Sequence, residues 1–513
     1  VAKKIKRIAI ANRGEVAVRI IRACEEMGIE TVLLHSEADI KTRAYRMATK
    51  SICIGPAASA ESYLSIKANI EGALAGAADA VHPGFGFLSE NADFAEACKK
   101  AELIFIGPSA ESIRILGDKV KCKELAQLAG LPLVPGYQGS NQDVAFLLKE
   151  AEKIGFPVIV KAAAGGGGRG MKLLKGMLGG KELIESAQRE ALSAFGSKIV
   201  FLEKYLDRAK HIEFQIFGDS SGQVVHFNDR ECSVQRRHQK IIEEATSPSL
   251  TDDLRRRMGE AAIAIGTMGH YRGAGTVEFL LQDNEFYLLE VNTRLQVEHP
   301  VTEEVMGVDL VKAQILTAMG SLILDKRKIG SPKGHSIECR IYAENPFLGG
   351  IPSTGNLGLV QWPEGPGRRF EYGFETGDQV TPFYDSMIAK VIVWDETRSR
   401  AIQKMIHVLK DSVVFGVRTN IPYLIQILKH PEFVEGSMTT RFIEKHFAES
   451  LVEPPLSKSE EKLVEEFKKV NRGQGDSSGL NFSDPKSYMI GEFGRGNLVS
   501  HSQSPWQSFW RNV

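Results

Sequence analysis

The chain has 513 residues, more than a single hydrophobic core organises, so about three compact units are expected, and its hydrophobic content of 43% is that of an ordinary globular protein. Sixty-four Lys and Arg cancel 64 Asp and Glu, which argues against nucleic-acid or membrane-surface binding driven by bulk charge and requires any anion site to be local. Six scattered cysteines without a CxxC pair, no apolar run of membrane-spanning length and a strand-like start at Val1-Ala-Lys-Lys predict a cytoplasmic protein, or one of the mitochondrial matrix if a leader has been removed.

Residues 5–11, IKRIAIA, read as a buried strand, 15–27 as an amphipathic helix stopped at Gly28, and 30–35, ETVLLH, as a second strand: a parallel βαβ unit. The turn Asn12-Arg13-Gly14-Glu15 is not GxGxxG, so a dinucleotide fingerprint is missing. Helix 61–75, strand 79–81, the turn 82–87, a helix near 90–100 and strand 103–107 extend this into an open α/β domain over about 1–115. His82 and Phe85 lie beyond a strand end, where such sheets place ligands, although ordinary loop packing accounts for both as well.

Asp118-Lys119 opens a helix, and 155–161 is a strand ending in Lys161. AAAGGGGRGMKLL follows, with Gly165, Gly166, Gly167 and Gly168 in a row. A strand that delivers a lysine into a glycine loop can fold backbone N–H groups around polyphosphate. No GK[ST] follows, so this is not a P-loop; a flexible linker is the alternative, but the strands on both sides favour a hairpin lid. Residues 199–205, IVFLEKY, form a strand that can offer main-chain groups and one carboxylate near Glu203-Lys204 to an adenine ring and ribose. A hairpin over 211–217 and 223–228 leads into DRECSVQRRHQKIIEEA, where Arg230, Arg236, Arg237, His238 and Lys240, bracketed by Glu231, Glu243 and Glu244, suggest a local anion site. Residues 252–268 read as a helix.

The stretch 276–298, TVEFLLQDNEFYLLEVNTRLQVE, organises the rest. Two apolar runs flank Asp283, Asn284 and Glu285, which predicts a hairpin. With a three-residue loop Glu278 faces Glu290 and Asn292 shares their side, an all-oxygen set suited to Mg²⁺; a one-residue change of register separates the glutamates, and an acidic edge hairpin would show the same spacing. Arg294, Gln296 and Glu298 continue at every second position. Beyond a helix near 303–319, strands 335–343 and 387–394, a Gly/Pro-rich stretch at 346–384 and helices 398–411 and 419–429 predict a third domain to about 446, with Arg340 inside a strand, where it must be paired or part of a site. Ser457-x-x-Glu460 predicts a capped helix, 472–479 a linker, and Trp506 and Trp510 a docking end.

With these segments in place, residues 1–446 resemble the biotin carboxylases of the ATP-grasp superfamily, through ANRGE at 11–15, HPGFGFLSEN at 82–91, GDK at 117–119, KAAAGGGGRGM at 161–171, QRRHQK at 235–240 and EVNTRLQVEHPVTE at 290–303. The resemblance implies an N-terminal open parallel α/β domain (1–115), an ATP-grasp domain (116–330) with a mobile glycine-rich lid at about 133–203, a C-terminal α/β domain with antiparallel sheet (331–446) and a tail (447–513). It implies that Lys119 and Lys161 hold ATP phosphates under the glycine loop. Glu203, Lys204, Leu206 and Leu280 would meet ribose and adenine, with His211, Gln235 and His238 on the nucleotide side. Glu278, Glu290 and Asn292 would bind Mg²⁺ or Mn²⁺. Lys240, Arg294, Gln296, Val297 and Glu298 would form the bicarbonate pocket, Glu298 being the general base and Arg340 the arginine that steadies the biotin enolate, with His82 and Phe85 nearby.

The implied reaction is carboxylation of biotin N1 through carboxyphosphate, giving ADP and phosphate. A carboxylate beside Arg294 is expected to stay ionised, as a base must. The chain departs from the resemblance at Ala163-Ala164, where relatives have a small polar residue and a fifth glycine, at Phe85, commonly tyrosine, and at Val234 and Thr246. An Ala-Met-Lys-Met biotin acceptor is missing, so biotin is expected on a separate carrier protein or domain, with a carboxyltransferase subunit as a further partner and a homodimer implied. Another ATP-grasp ligase would share Lys119, Lys161, Glu278 and Glu290 but not Arg340 or the 294–298 run; a silent regulatory subunit would not need Glu298, Lys240 and Arg294 intact.

Overall fold

The apolar run Arg7–Ile10 is the middle of a five-stranded parallel sheet, flanked by Glu30–Ser36 and Ala80–His82, with Lys50–Gly55 and Ile104–Phe105 at the edges. This is a computed structural model, and it describes residues 4–163, 171–325 and 329–447 together with Glu465. The loop Gly165 to Gly168, the helix expected after Ser457, the 472–479 linker, Trp506 and Trp510 lie outside the described residues. Helix Gly14–Glu26 places Val16, Ile20 and Ile21 against Ile8, Ile10 and Leu33, the amphipathic packing its spacing predicts. The edge strand Lys50–Gly55 is not among the expected elements.

The next layer is a continuous eight-stranded antiparallel sheet. Its order is Glu285–Asn292, Gly273–Gln282, Lys210–Gly218, Val224–Arg236, Gln239–Ala245, His335–Tyr342, Met387–Asp395 and Arg368–Tyr372. The long strands after residue 335 therefore extend the central sheet, through pairs such as Ile242 with Cys339. Helix Asp252–Met268 covers one half, with Leu254, Met258 and Ile265 on Phe214, Ile216 and Phe279. Helices Arg398–Asp411 and Ile421–Lys429 cover the other.

A smaller antiparallel sheet holds Gly136–Tyr137, Val200–Lys204, Val158–Ala162 and Met171–Leu174 in that order. Helices Val144–Ile154 and Gly180–Phe195 bury Leu147, Ala151 and Ile184 against it. Val158–Ala162 and Met171–Leu174 pair as the hairpin expected around the glycine loop. The fold is mixed α/β, with a parallel sheet in the N-terminal region and antiparallel sheets in the central and C-terminal regions.

One expected element needs correction. The helix expected at 303–319 is two helices, His299–Met306 and Leu310–Ala318, because Gly307 adopts φ +64° and Asp309 caps the second by accepting from Lys312 N at 2.8 Å. The alternation of polar residues past Asn292 is not strand: 293–298 form a loop and a turn that deliver Glu298 to the start of a helix. Among the described residues no helix is long and apolar enough to cross a membrane.

Candidate active site

The carboxylate pair depends on a hairpin with a defect. The turn is the two residues Asp283 and Asn284, with φ of 54° and 64°, rather than the three expected. That turn pairs Gln282 with Glu285 and Phe279 with Leu288, which would leave Glu278 opposite Leu289. A bulge at Leu289 shifts the ladder by one, so Glu278 faces Glu290 and Thr276 faces Asn292. Lys240 Nζ lies 2.8 Å from Glu278 Oε1 and His211 Nε2 3.1 Å from Oε2. Burial would raise the Glu278 carboxyl, but Lys240 and His211 outweigh it and hold the group well below the usual carboxylate range. Glu290 goes the other way: burial and the Glu278 charge push its carboxyl up, with Lys119 Nζ 3.5 Å away as a partial offset. Asn292 Oδ1 accepts from Arg294 Nη2 at 3.1 Å, and its buried Nδ2 has no hydrogen-bond partner among the described residues.

Beside this pair runs a chain of buried charges. Lys240 Nζ donates to Glu298 Oε1 at 2.7 Å, Arg340 Nη2 to Glu298 Oε2 at 2.9 Å, and Arg340 Nε to Glu243 Oε1 at 2.6 Å. Lys240 also reaches Glu213, whose other oxygen takes Arg230. Glu298 occupies the N-cap position of helix His299–Met306, yet its carboxylate makes no capping bond and turns to the two cations instead. Burial would raise this carboxyl; Lys240, Arg340 and Arg230 outweigh it and keep it ionised, far below its ordinary value.

Glu298 is ionised, as the sequence leads one to expect of a carboxylate beside Arg294, but its direct partners are Lys240 and Arg340. Arg294 Nε donates to Glu90 at 2.8 Å and its Nη1 to Gln296 Oε1 at 2.8 Å, which stretches the guanidinium along 292–296 at the cleft wall. Gln296 Nε2 in turn lies 3.4 Å from Glu278 Oε1. The turn that carries Val297 is tied to the sheet by Lys390 Nζ, 2.8 Å from Val297 O, and the Phe85 ring centroid lies 5.7 Å from that ammonium. His82 does not reach the cleft: it is fully buried, its Nδ1 accepts from Gly84 N at 3.1 Å, and burial followed by the Arg19 charge pushes the imidazole down to about 3.

At the other end of the cleft, Asp118 caps helix Lys119–Leu128 by accepting from Val120 N and Lys121 N, so Lys119 and Lys123 share one face of its first turns. Glu203, paired with Ile159 across the small sheet, accepts from both Lys161 and Lys123. Lys204 spends its ammonium on the carbonyls of Gly155 and Phe156, at 2.8 and 2.9 Å, and its N–H on Pro135 O at 2.7 Å. Val134, Ile159, Leu206, Leu280 and Leu289 supply apolar walls, and Gln235 Nε2 lies 2.8 Å from His211 Nδ1. The whole cleft, about 590 Å³, gathers Lys119, Lys161, Glu203, Lys204, Leu206, His211, Gln235, His238, Lys240, Glu278, Leu280, Glu290, Asn292, Arg294, Gln296, Val297 and Arg340. An apolar slot, a row of lysines and a buried carboxylate base between cations suit a purine nucleotide and a small anion.

The basic run at 230–240 is not one patch. Arg230 is fully buried on Glu213, Arg236 pairs with Glu344 at 2.6 Å, and of the five basic residues His238 and Lys240 line the cleft. Lys123, Glu213 and Lys390 escaped sequence reasoning as members of the site, whereas Arg230 and Glu243 fall within the basic run and its acidic bracket. A lone charge inside an apolar strand, as in HIEFQIF or MIAKVIVW, is the signal that marks Glu213 and Lys390.

Residues 4–113 match the biotin carboxylase N-terminal domain, 118–325 the ATP-binding domain of the carbamoyl-phosphate synthase L chain, and 338–445 the biotin carboxylase C-terminal domain. A biotin carboxylase of Nostoc sp. is 47% identical over 443 residues, covering 86% of this chain and 99% of that protein. The mitochondrial methylcrotonoyl-CoA carboxylase subunit alpha of Dictyostelium discoideum is 45% identical over 464 residues, covering 90% of this chain and 66% of that one. The biotin carboxylase domain dimer of Hydrogenobacter thermophilus 2-oxoglutarate carboxylase, solved with MgADP, ADP and bicarbonate, superposes with a TM-score of 0.82 at 42% identity, covering 86% of this chain and 98% of that one. With three domain matches in sequence order and a relative 47% identical along 99% of its own length, the chain belongs to the biotin carboxylase family.

Proposed function

We propose that this chain carries out the first half-reaction of a biotin-dependent carboxylase: ATP- and bicarbonate-dependent carboxylation of biotin N1, with ADP and phosphate as the other products. The observation that carries this is Glu298, an ionised carboxylate held between Lys240 and Arg340 at 2.7 and 2.9 Å beside a nucleotide-sized cleft. Bicarbonate sits against Lys240, Arg294, Gln296 and the turn at Val297. Its negative charge takes up part of the Lys240 field, which relieves the depression of the Glu298 carboxyl and makes it a better base. Glu298 removes the bicarbonate proton, and a carbonate oxygen attacks the γ-phosphorus of ATP to give carboxyphosphate and ADP.

Lys119 and Lys161 neutralise the polyphosphate, Leu206 and Leu280 hold the adenine, and Glu203 meets the ribose side. The segment over about 133–203 closes over the nucleotide, keeping water from carboxyphosphate. Carboxyphosphate decays to CO₂ and phosphate, and the phosphate takes the N1 proton of biotin. Arg340 donates to the ureido oxygen as negative charge develops, and N1 captures CO₂.

Glu278, Glu290 and Asn292 would hold Mg²⁺ or Mn²⁺. Burial, and after it the Glu278 charge, push the Glu290 carboxyl up, a cost that a divalent cation would relieve, and the donors are all oxygen. Bound there, such an ion would supply charge neutralisation for the polyphosphate. Biotin arrives on a biotin carboxyl carrier protein or domain, and a carboxyltransferase subunit consumes the product. The dimeric form of the solved Hydrogenobacter relative supports a homodimer here. The division at about 115, 330 and 446, with 447–513 as a partner-docking segment, belongs to the same reading.

ADP release by the purified chain with bicarbonate, measured with and without free biotin, tests the proposal. Strong stimulation by biotin is expected. Stimulation by ammonia or an amine in its place would assign a different ATP-grasp ligase, and bound ATP without turnover a regulatory subunit.

A further inference from the structure

Lys161 is not free to meet a phosphate in this structure, because its ammonium is bound to Glu203. Glu203 lies on strand Val200–Lys204 and is 6% exposed. A carboxylate that deeply placed cannot give up its only cation without a large desolvation cost. It does not have to: its second oxygen takes Lys123, which arrives from a different part of the molecule. Helix Lys119–Leu128 packs Cys122 and Ala126 into the core of the eight-stranded sheet, whereas Glu203 and Lys161 belong to the small sheet. Lys123 itself is mostly buried, with 15% of its side chain exposed, and lines the nucleotide cleft one turn beyond Lys119.

We propose that Lys123 is a positioning residue that releases Lys161: it stays on Glu203 as the replacement counter-ion while Lys161 moves onto the polyphosphate, and it ties the small sheet to the large one in doing so. This rests on the nucleotide reading given above and adds a residue to it. The physical reason is charge balance. With both lysines in place Glu203 has two cations and can release one; with Lys123 removed, Lys161 is the remaining cation and stays where it is. Lys123 therefore acts on ATP affinity through Lys161, without a phosphate contact of its own.

A double-mutant cycle on the full chain separates this from direct phosphate binding. MgATP affinity is measured by calorimetry without bicarbonate, so that no turnover is needed. Lys123→Met is expected to weaken binding by about tenfold, the scale of one charge-assisted hydrogen bond. In a Lys161→Ala background the same change is expected to have an effect of less than about twofold, because no lysine is left to release. Lys123→Arg keeps the cation and retains affinity. Equal losses in both backgrounds, unaltered binding by Lys123→Met, or an Arg variant as weak as Met would each overturn the proposal. A wild-type chain that binds no MgATP would instead overturn the nucleotide reading beneath it, and that result precedes any variant.

Discussion

The ammonium of Lys240 lies 2.7 Å from Glu298 Oε1, although the two residues are 58 positions apart in the chain. Lys240 comes from strand Gln239–Ala245 and Glu298 from the turn before helix His299–Met306, so the contact is made by the fold and not by local sequence. An acid held ionised this firmly cannot protonate near neutral pH, and its service as a base depends on how much of its compensation bicarbonate takes over.

Glu298→Gln keeps the shape and removes the base. ADP formation in the presence of bicarbonate and biotin should fall by about 10³-fold, within the range for a general base, while MgATP affinity stays within about threefold. A coupled ADP assay with calorimetry checks both; loss of nucleotide binding would show the residue misplaced.

Arg340→Ala separates the two halves of the reaction. It removes a donor to the biotin oxygen, so biotin-dependent carboxylation should drop by about 10²–10³-fold. Nucleotide binding should persist. Counting carboxybiotin formed against ADP released distinguishes this from a defect in bicarbonate activation, which lowers both together.

Glu290→Gln relieves the like-charge pair without a metal. The concentration of Mg²⁺ for half-maximal ADP release should rise by about tenfold or more at saturating ATP. Glu278→Gln should be more damaging, because Glu278 also anchors Lys240 and His211.

Glu15 gives a prediction about stability. Burial, only partly offset by Lys390 at 3.3 Å, pushes its carboxyl up to about 7. An acid whose folded value lies above its unfolded one holds its proton more tightly when folded, so stability is greatest below about pH 4 for this group and declines as pH rises towards 7. Glu15→Gln should remove that decline, gaining about 3 kcal/mol at pH 8 and almost nothing at pH 4. Chemical denaturation at the two pH values measures the difference, and equal gains at both would contradict it.

Much of the site could be read from residue order because its parts are local. Apolar runs on both sides of Asp283 and Asn284 mark the hairpin, and Asp118 before Lys119 marks a helix start. The bulge at Leu289 could not be read, since a two-residue turn plus one looped residue yields the same pairing of Glu278 with Glu290 as a three-residue turn. The cations on Glu298 were hidden for a related reason. Sequence proximity offers Arg294, whereas Arg340, 42 positions away, and Lys240 are brought in by neighbouring strands. Lys123 was within reach, standing four residues after Lys119 on a capped helix, the spacing that puts two side chains on one face.

Strands Gln239–Ala245 and His335–Tyr342 are hydrogen-bonded neighbours, so Lys240 and Arg340 are carried by one unbroken β-scaffold that spans the central and C-terminal regions. The lid closure proposed above would leave that spacing alone. The two cations that grip Glu298 thus share a fixed anvil, against which both steps of the proposed reaction would be struck.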